Sequence, residues 1–162
     1  MIGFMGCGKS TMGRSLASLL NLTFIDLDTY LEAKYFKTVP RIFAEEGEDE
    51  FRKKEHKVLE EVALFNDVIV ATGGGAPCFF NNVEVMNAAG YCIFLDVQID
   101  TLVNRLMCSK TERPLIKGKS NEELKSFIES LMQKRRPFYE KAEYILRGNE
   151  LYPEDVIGLL KK

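Results

Sequence analysis

Gly3-Phe4-Met5-Gly6-Cys7-Gly8-Lys9-Ser10 satisfies the spacing G-x-x-x-x-G-K-[ST] at every fixed position. Glycines there let backbone N–H groups turn inward around phosphate oxygens, in conformations that side chains would obstruct. Lys9 is placed to neutralise the β- and γ-phosphates of a nucleotide, and the Ser10 hydroxyl to ligate Mg²⁺. The helix that begins here adds its positive N-terminal end. At ordinary usage of Gly, Lys and Ser/Thr, four such positions coincide by chance in about 0.5% of chains this long. The bland alternative, a glycine-rich turn before an amphipathic helix, is therefore the weaker reading. Only Met1 and Ile2 precede the loop, where a full central strand normally stands, so a truncated or misassigned start is expected.

Outward from the loop, short apolar runs alternate with helical patterns. Thr23-Phe24-Ile25 ends in Asp26; Val68-Ile69-Val70-Ala71 ends in Thr72-Gly73-Gly74-Gly75; Tyr91 to Leu95 ends in Asp96; Tyr144-Ile145-Leu146 is weaker. All have strand length and turn residues at their borders. Between them, Ser10 to Leu20 carries an apolar stripe, as do Phe51 to Val62 after Gly47 and Ile99 to Leu106. Ser120 with Glu123 predicts a capping box for the helix bearing Leu124, Phe127, Ile128 and Leu131. Pro153 suits the first turn of a last helix. Such alternation predicts an α/β fold of three layers, a parallel sheet with helices on both faces. Residues 30–60 read as a charged helical insertion, and polar residues 109–119 as a flap.

With 162 residues, 46% of them hydrophobic, the chain fits a single domain, 1–162. Its 22 basic and 24 acidic residues give a net charge of −2, which argues against a nucleic-acid or membrane-surface binder. No apolar run is long enough to span a bilayer. The N-terminus carries no leader pattern, and Cys7, Cys78, Cys92 and Cys108 have no CxxC pair, so a cytoplasmic setting with reduced thiols is expected.

In open α/β sheets ligands sit at the carboxyl ends of strands. The glycines at 73–75 stand where many P-loop proteins carry an acidic residue, so a magnesium-side carboxylate must come from elsewhere, and Asp26 is the best candidate. Asp28, two residues on, can face an acceptor hydroxyl and orient or deprotonate it. Either Asp could instead merely cap the next helix. Three glycines make a bare backbone shelf for a ligand ring. Arg52, Arg113 in the flap and Arg135 are candidate anion contacts, while His56 reads as a solvated side chain and Asp96 as a helix cap.

Taken together these residues resemble the shikimate kinases over nearly the whole chain. The likeness rests on the P-loop through Thr11, on Phe24-Ile25-Asp26-Leu27-Asp28 and on Gly47-Glu48-Asp49-Glu50-Phe51-Arg52-Lys53-Lys54-Glu55. It also includes the glycine triplet, Arg113-Pro114-Leu115 and Lys134-Arg135-Arg136-Pro137-Phe138-Tyr139. The resemblance implies transfer of the γ-phosphate of MgATP to the 3-hydroxyl of shikimate. It implies a five-stranded parallel sheet of the nucleoside-monophosphate-kinase kind, with a substrate segment near 28–60, a lid near 109–119 and a monomeric state. By position, Gly6, Cys7, Gly8, Lys9, Ser10, Thr11, Arg105, Arg113 and Pro153 would contact ATP, and Ser10 and Asp26 the metal. Asp28, Arg52, Gly73, Gly74, Gly75 and Arg135 would hold shikimate, with Phe43 and Phe51 walling its ring and Glu55 holding Arg52. Lys9, Asp28 and Arg113 would be catalytic. Two stretches depart from the family pattern: Phe36 stands where Gly is usual and Arg41 where an acidic residue is common, and Arg147-Gly148 replaces an Asp-Thr pair.

Two other readings compete. Another small-molecule P-loop kinase, such as a gluconate kinase, lacks the pairing of F-R-x-x-E with a glycine triplet. A nucleotide-binding module without catalysis would have no need of both acceptor and lid groups.

Overall fold

The computed structural model describes residues 1–109, 116 and 118–160. Four strands run β1 (Thr23–Asp26), β2 (Val68–Ala71), β3 (Ile93–Asp96) and β4 (Tyr144–Arg147), with helices between them. The helices are α1 (Lys9–Leu20), α2 (Leu27–Tyr35), α3 (Val39–Val62), α4 (Asn82–Ala89), α5 (Ile99–Met107), α6 (Asn121–Tyr139) and α7 (Pro153–Leu160). A 3₁₀ turn, Ala76–Cys78, leads into α4. β1 pairs in parallel with β2, and β3 with β4.

Met1 and Ile2 join these two pairs. The Met1 ammonium donates to the Val70 carbonyl at 2.6 Å and Thr72 N–H to the Met1 carbonyl at 3.2 Å. On the other edge Ile2 N–H donates to Ile93 at 2.9 Å and Leu95 N–H to Ile2 at 3.0 Å. The expected fifth strand is thus present as two residues at the centre of the sheet, in the order β1, β2, Met1–Ile2, β3, β4. Just before Met1, β2 and β3 stand apart around a cavity of ≈ 280 Å³ bordered by Val68, Val70, Tyr91 and Cys92.

Alternation along the strands fills two apolar layers. Ile69 packs against the cluster that holds Met12, Leu16, Phe94, Leu102 and Ile128, whereas Val70 and Ile25 pack against the one that holds Leu31, Ile42, Val58 and Leu59. Helices therefore cover both faces, as the alternation of runs predicts. The local signals hold as well. The Ser120–Glu123 capping box is complete, Pro153 opens α7, and Gly47 (φ 83°) kinks α3. The sequence reading missed α4, which has only eight residues and no side-chain cap. Among the described residues no helix is long and apolar enough to cross a membrane.

Candidate active site

The phosphate loop closes on itself. Gly8 is the N-cap of α1 at φ 102°, a conformation that disfavours any L side chain. Lys9 is buried, and its ammonium donates to the Gly3 and Phe4 carbonyls at 2.9 and 3.0 Å and to Cys7 Sγ at 3.7 Å. Those carbonyls hold the charge where phosphate oxygens would compete for it.

β1 delivers the carboxylates. Asp26 ends the strand and caps α2, its Oδ1 accepting from Thr29 N–H at 3.4 Å, while its Oδ2 accepts from Ser10 Oγ at 2.8 Å. Capping and the pairing with Ser10 thus coexist in one residue. Two adjoining hard oxygens suit Mg²⁺, which takes one or two protein oxygens and completes its shell with phosphate and water. Asp28 lies in the first turn of α2. Burial pushes its pKa up, with the neighbouring Asp26 charge adding to the effect and Lys9 and Arg52 opposing it.

The glycine shelf gathers the remaining groups. A Cβ on Gly73 would stand 3.1 Å from Asp28 Oδ1, one on Gly74 3.3 Å from Arg135 Nη1, and one on Gly75 2.7 Å from Arg52 Nη2. Side chains here would displace three functional groups in turn. Arg52 is sandwiched, its Cζ 4.1 Å from the Phe79 ring centre and 5.0 Å from that of Phe51. Glu55 Oε2 accepts from Arg52 Nη1 at 2.8 Å, and Glu48 braces the guanidinium from outside. Burial raises the Glu55 pKa while Arg52 pulls it back, and its Oε1 has no hydrogen-bond partner among the described residues. Tyr139, fully buried, donates from its hydroxyl to the Gly74 carbonyl; burial raises its pKa, opposed by Arg135.

Two cavities meet at the loop. One of ≈ 380 Å³ is lined by Lys9, Ser10, Thr11, Asp26, Asp28, Gly73 and Gly74; the other, ≈ 440 Å³, lies between Cys7, Arg105 and Pro153. Arg105 donates to Cys7 O at 3.2 Å and Asn149 O at 2.6 Å, tying the phosphate loop to the segment before α7. Phe43 stacks on Phe51 with ring centres 4.5 Å apart, behind Arg52, and neither ring lines the cavity beside Lys9. Arg113 and most of the 109–119 flap lie outside the described residues.

Two expectations are corrected. Asp96 caps no helix: Gln98 is the N-cap of α5, and Asp96 accepts the Arg136 fork at 2.9 and 3.1 Å. His56 is not a solvated side chain, for its imidazole is only 20% exposed and its Nδ1 lies 2.6 Å from Asn82 Oδ1. Among the groups missed, Tyr139 and Phe79 had no sequence signal beyond Tyr139's place in the R-R-P-F-Y block.

The geometry agrees with known proteins. The family model for shikimate kinase matches residues 5–160. A shikimate kinase of Parabacteroides distasonis is 49% identical over 154 residues, covering 95% of this chain and 89% of that protein. The crystal structure of the Bacteroides thetaiotaomicron shikimate kinase superposes with a TM-score of 0.95 at 44% identity, covering 99% of this chain and 96% of that one. The Acinetobacter baumannii enzyme, solved in complex with shikimate, gives 0.85 at 34% identity over 99% and 88%. A P-loop, an acidic strand end, a glycine shelf with two arginines and these likenesses converge: the chain belongs to the shikimate kinase family.

Proposed function

We propose that this site transfers the γ-phosphate of ATP to the 3-hydroxyl of shikimate, releasing ADP and shikimate 3-phosphate. The observation that carries the reading is the shelf: Asp28, Arg135 and Arg52 meet Gly73, Gly74 and Gly75 in turn, and Asp28, Gly73 and Gly74 line the cavity beside Lys9. One base and two guanidinium groups thus stand next to a phosphate loop, the complement of a small hydroxylated carboxylate.

Arg52 and Arg135 take the substrate carboxylate, for which their planar forks are well shaped. Asp28 accepts the hydrogen bond of the attacking hydroxyl and receives its proton, and a raised pKa makes it a better base. Lys9 and the loop N–H groups stabilise charge on the phosphoryl oxygens. Mg²⁺ bound at Ser10 and Asp26 would neutralise phosphate charge. The family resemblance assigns Arg113, outside the described residues, to charge on the transferring group. Transfer is direct in this reading, because Ser10, the one hydroxyl beside a carboxylate among the described residues of the site, is assigned with Asp26 to the metal. The nucleotide base occupies the space between Arg105 and Pro153.

Phosphorus NMR of the products tests this: the signal of a 3-phosphate ester of shikimate growing in step with ADP is expected. Phosphate released to water, or an ester at another hydroxyl, would contradict it.

A further inference from the structure

The loop that leaves the glycine shelf is held by a buried relay that the proposed reaction does not use. Asn82, at the start of α4, is fully buried, and its Nδ2 donates to the Ala76 carbonyl at 2.7 Å. Its Oδ1 is thereby turned to His56, whose Nδ1 lies 2.6 Å away, so Nδ1 carries the proton. Asn82 N–H also donates to the Phe79 carbonyl at 3.2 Å. From Ala76 the chain runs straight back to the shelf: Ala76 N–H donates to Gly73 O at 3.2 Å and Cys78 N–H to Gly75 O at 2.9 Å.

Between these anchors Phe80 is strained. It has φ 50°, and its ring, though more than half exposed, lies against the His56 imidazole with centres 4.9 Å apart. An L residue rarely adopts that region and persists there only where its surroundings fix it. His56 follows Arg52 by four residues on α3, so one helix face sends Arg52 to the shelf and His56 to the loop behind it. The same loop carries Phe79, on which Arg52 rests.

We propose that His56 and Asn82 are positioning residues for the acceptor side of the site, locking the Gly73–Gly75 shelf and the Phe79 platform of Arg52 against α3. The inference rests on the acceptor reading of that shelf. Neither residue, nor the shelf they hold, lines the cavity between Cys7, Arg105 and Pro153 assigned to the nucleotide base, so the lock acts chiefly on the acceptor side.

The test is steady-state kinetics with shikimate and ATP each varied, for His56→Ala, His56→Gln and Asn82→Ala. Amide exchange of residues 73–81 in the ligand-free proteins accompanies it. Loss of a buried hydrogen bond predicts about a tenfold rise in the shikimate KM for Asn82→Ala. The ATP KM stays within about twofold, because no nucleotide contact changes. His56→Ala shows a smaller rise in the same direction. His56→Gln, whose amide can donate to Asn82 Oδ1, recovers most of it. Adding His56→Ala to Asn82→Ala has little further effect, because the two act in one network. The shelf amides exchange faster in both alanine variants and recover in His56→Gln. Unchanged exchange, or lower melting temperatures with both KM values at wild type, would overturn the proposal. So would equal rises in both KM values. If the wild type shows no shikimate-dependent turnover, the acceptor reading fails, and the exchange data still decide whether the relay holds the shelf.

Discussion

Asp28 carries a conflict between stability and chemistry. Its pKa is raised chiefly by burial and next by Asp26, so the folded protein binds its proton more readily than the unfolded chain does. The stability this contributes is fully present below the unfolded value and is lost as pH rises through the folded one. At neutral pH the ionised carboxylate therefore costs stability. Asp28→Asn should melt at the same or a higher temperature while losing roughly 10²–10⁴-fold in turnover, the usual contribution of a positioned base. A folded variant with near-wild-type turnover would remove Asp28 from that role. The acid limb of the pH–rate profile should likewise stand above the ordinary carboxylate range and vanish in this variant. Phe36 is the opposite case. It ends α2 at φ 53° and is 92% exposed, at the position where the family usually has Gly. Phe36→Gly relieves strain and loses little packing, for a net gain of about 0.5–1 kcal/mol, or about 2 °C in melting temperature. A melting temperature that falls would refute this. At this scale Lys9 and Ser10 could be singled out because a fixed local spacing specifies them, and Asp26 because it ends a strand-length apolar run. The roles of His56 and Asp96 could not, since their partners Asn82 and Arg136 stand 26 and 40 residues away.

Among the elements, the shelf and α3 form one unit. Arg52 Nη2 lies where a Gly75 side chain would begin, so Gly75→Ala should raise the shikimate KM and leave the ATP KM unchanged. Arg52→Lys keeps the charge but loses the fork between Phe51 and Phe79, and should act in the same direction. Equal effects of either variant on both KM values would argue against a carboxylate clamp. The strands and the capped α6 were readable from apolar runs, turn residues and the Ser120–Glu123 pair. The chain between Gly75 and α4 was not. Its conformation is set by a 3₁₀ turn, a strained Phe80 and the buried Asn82 amide, which leave no periodic pattern.

Across the whole molecule, the two halves of the sheet are sewn together by four backbone hydrogen bonds, two donated and two accepted by Met1 and Ile2. Strand alternation turns the remaining inward groups of Val68, Val70 and Tyr91 toward the cavity ahead of Met1. Burial also pulls the Met1 ammonium below its usual pKa. The unfolded chain then binds more protons, so this contribution to stability grows as pH rises toward the ordinary amine value. Two β-branched residues added ahead of Met1 would pair with both neighbours and remove that buried charge. At about 1 kcal/mol per hydrogen bond, they should raise the melting temperature by about 5 °C or more. They should also flatten its pH dependence between neutral and mildly alkaline conditions. An unchanged melting temperature would show that two residues already suffice to join the sheet. Lys9 sits at the carboxyl end of this central segment, and Lys9→Ala should abolish most turnover without unfolding the protein.

Acceptor choice tests the central claim most directly: ADP release from MgATP measured side by side with shikimate, quinate, gluconate and no acceptor. Turnover that depends on shikimate is the predicted result. Turnover with gluconate alone, or ATP binding by folded protein without shikimate-dependent ADP release, would contradict it.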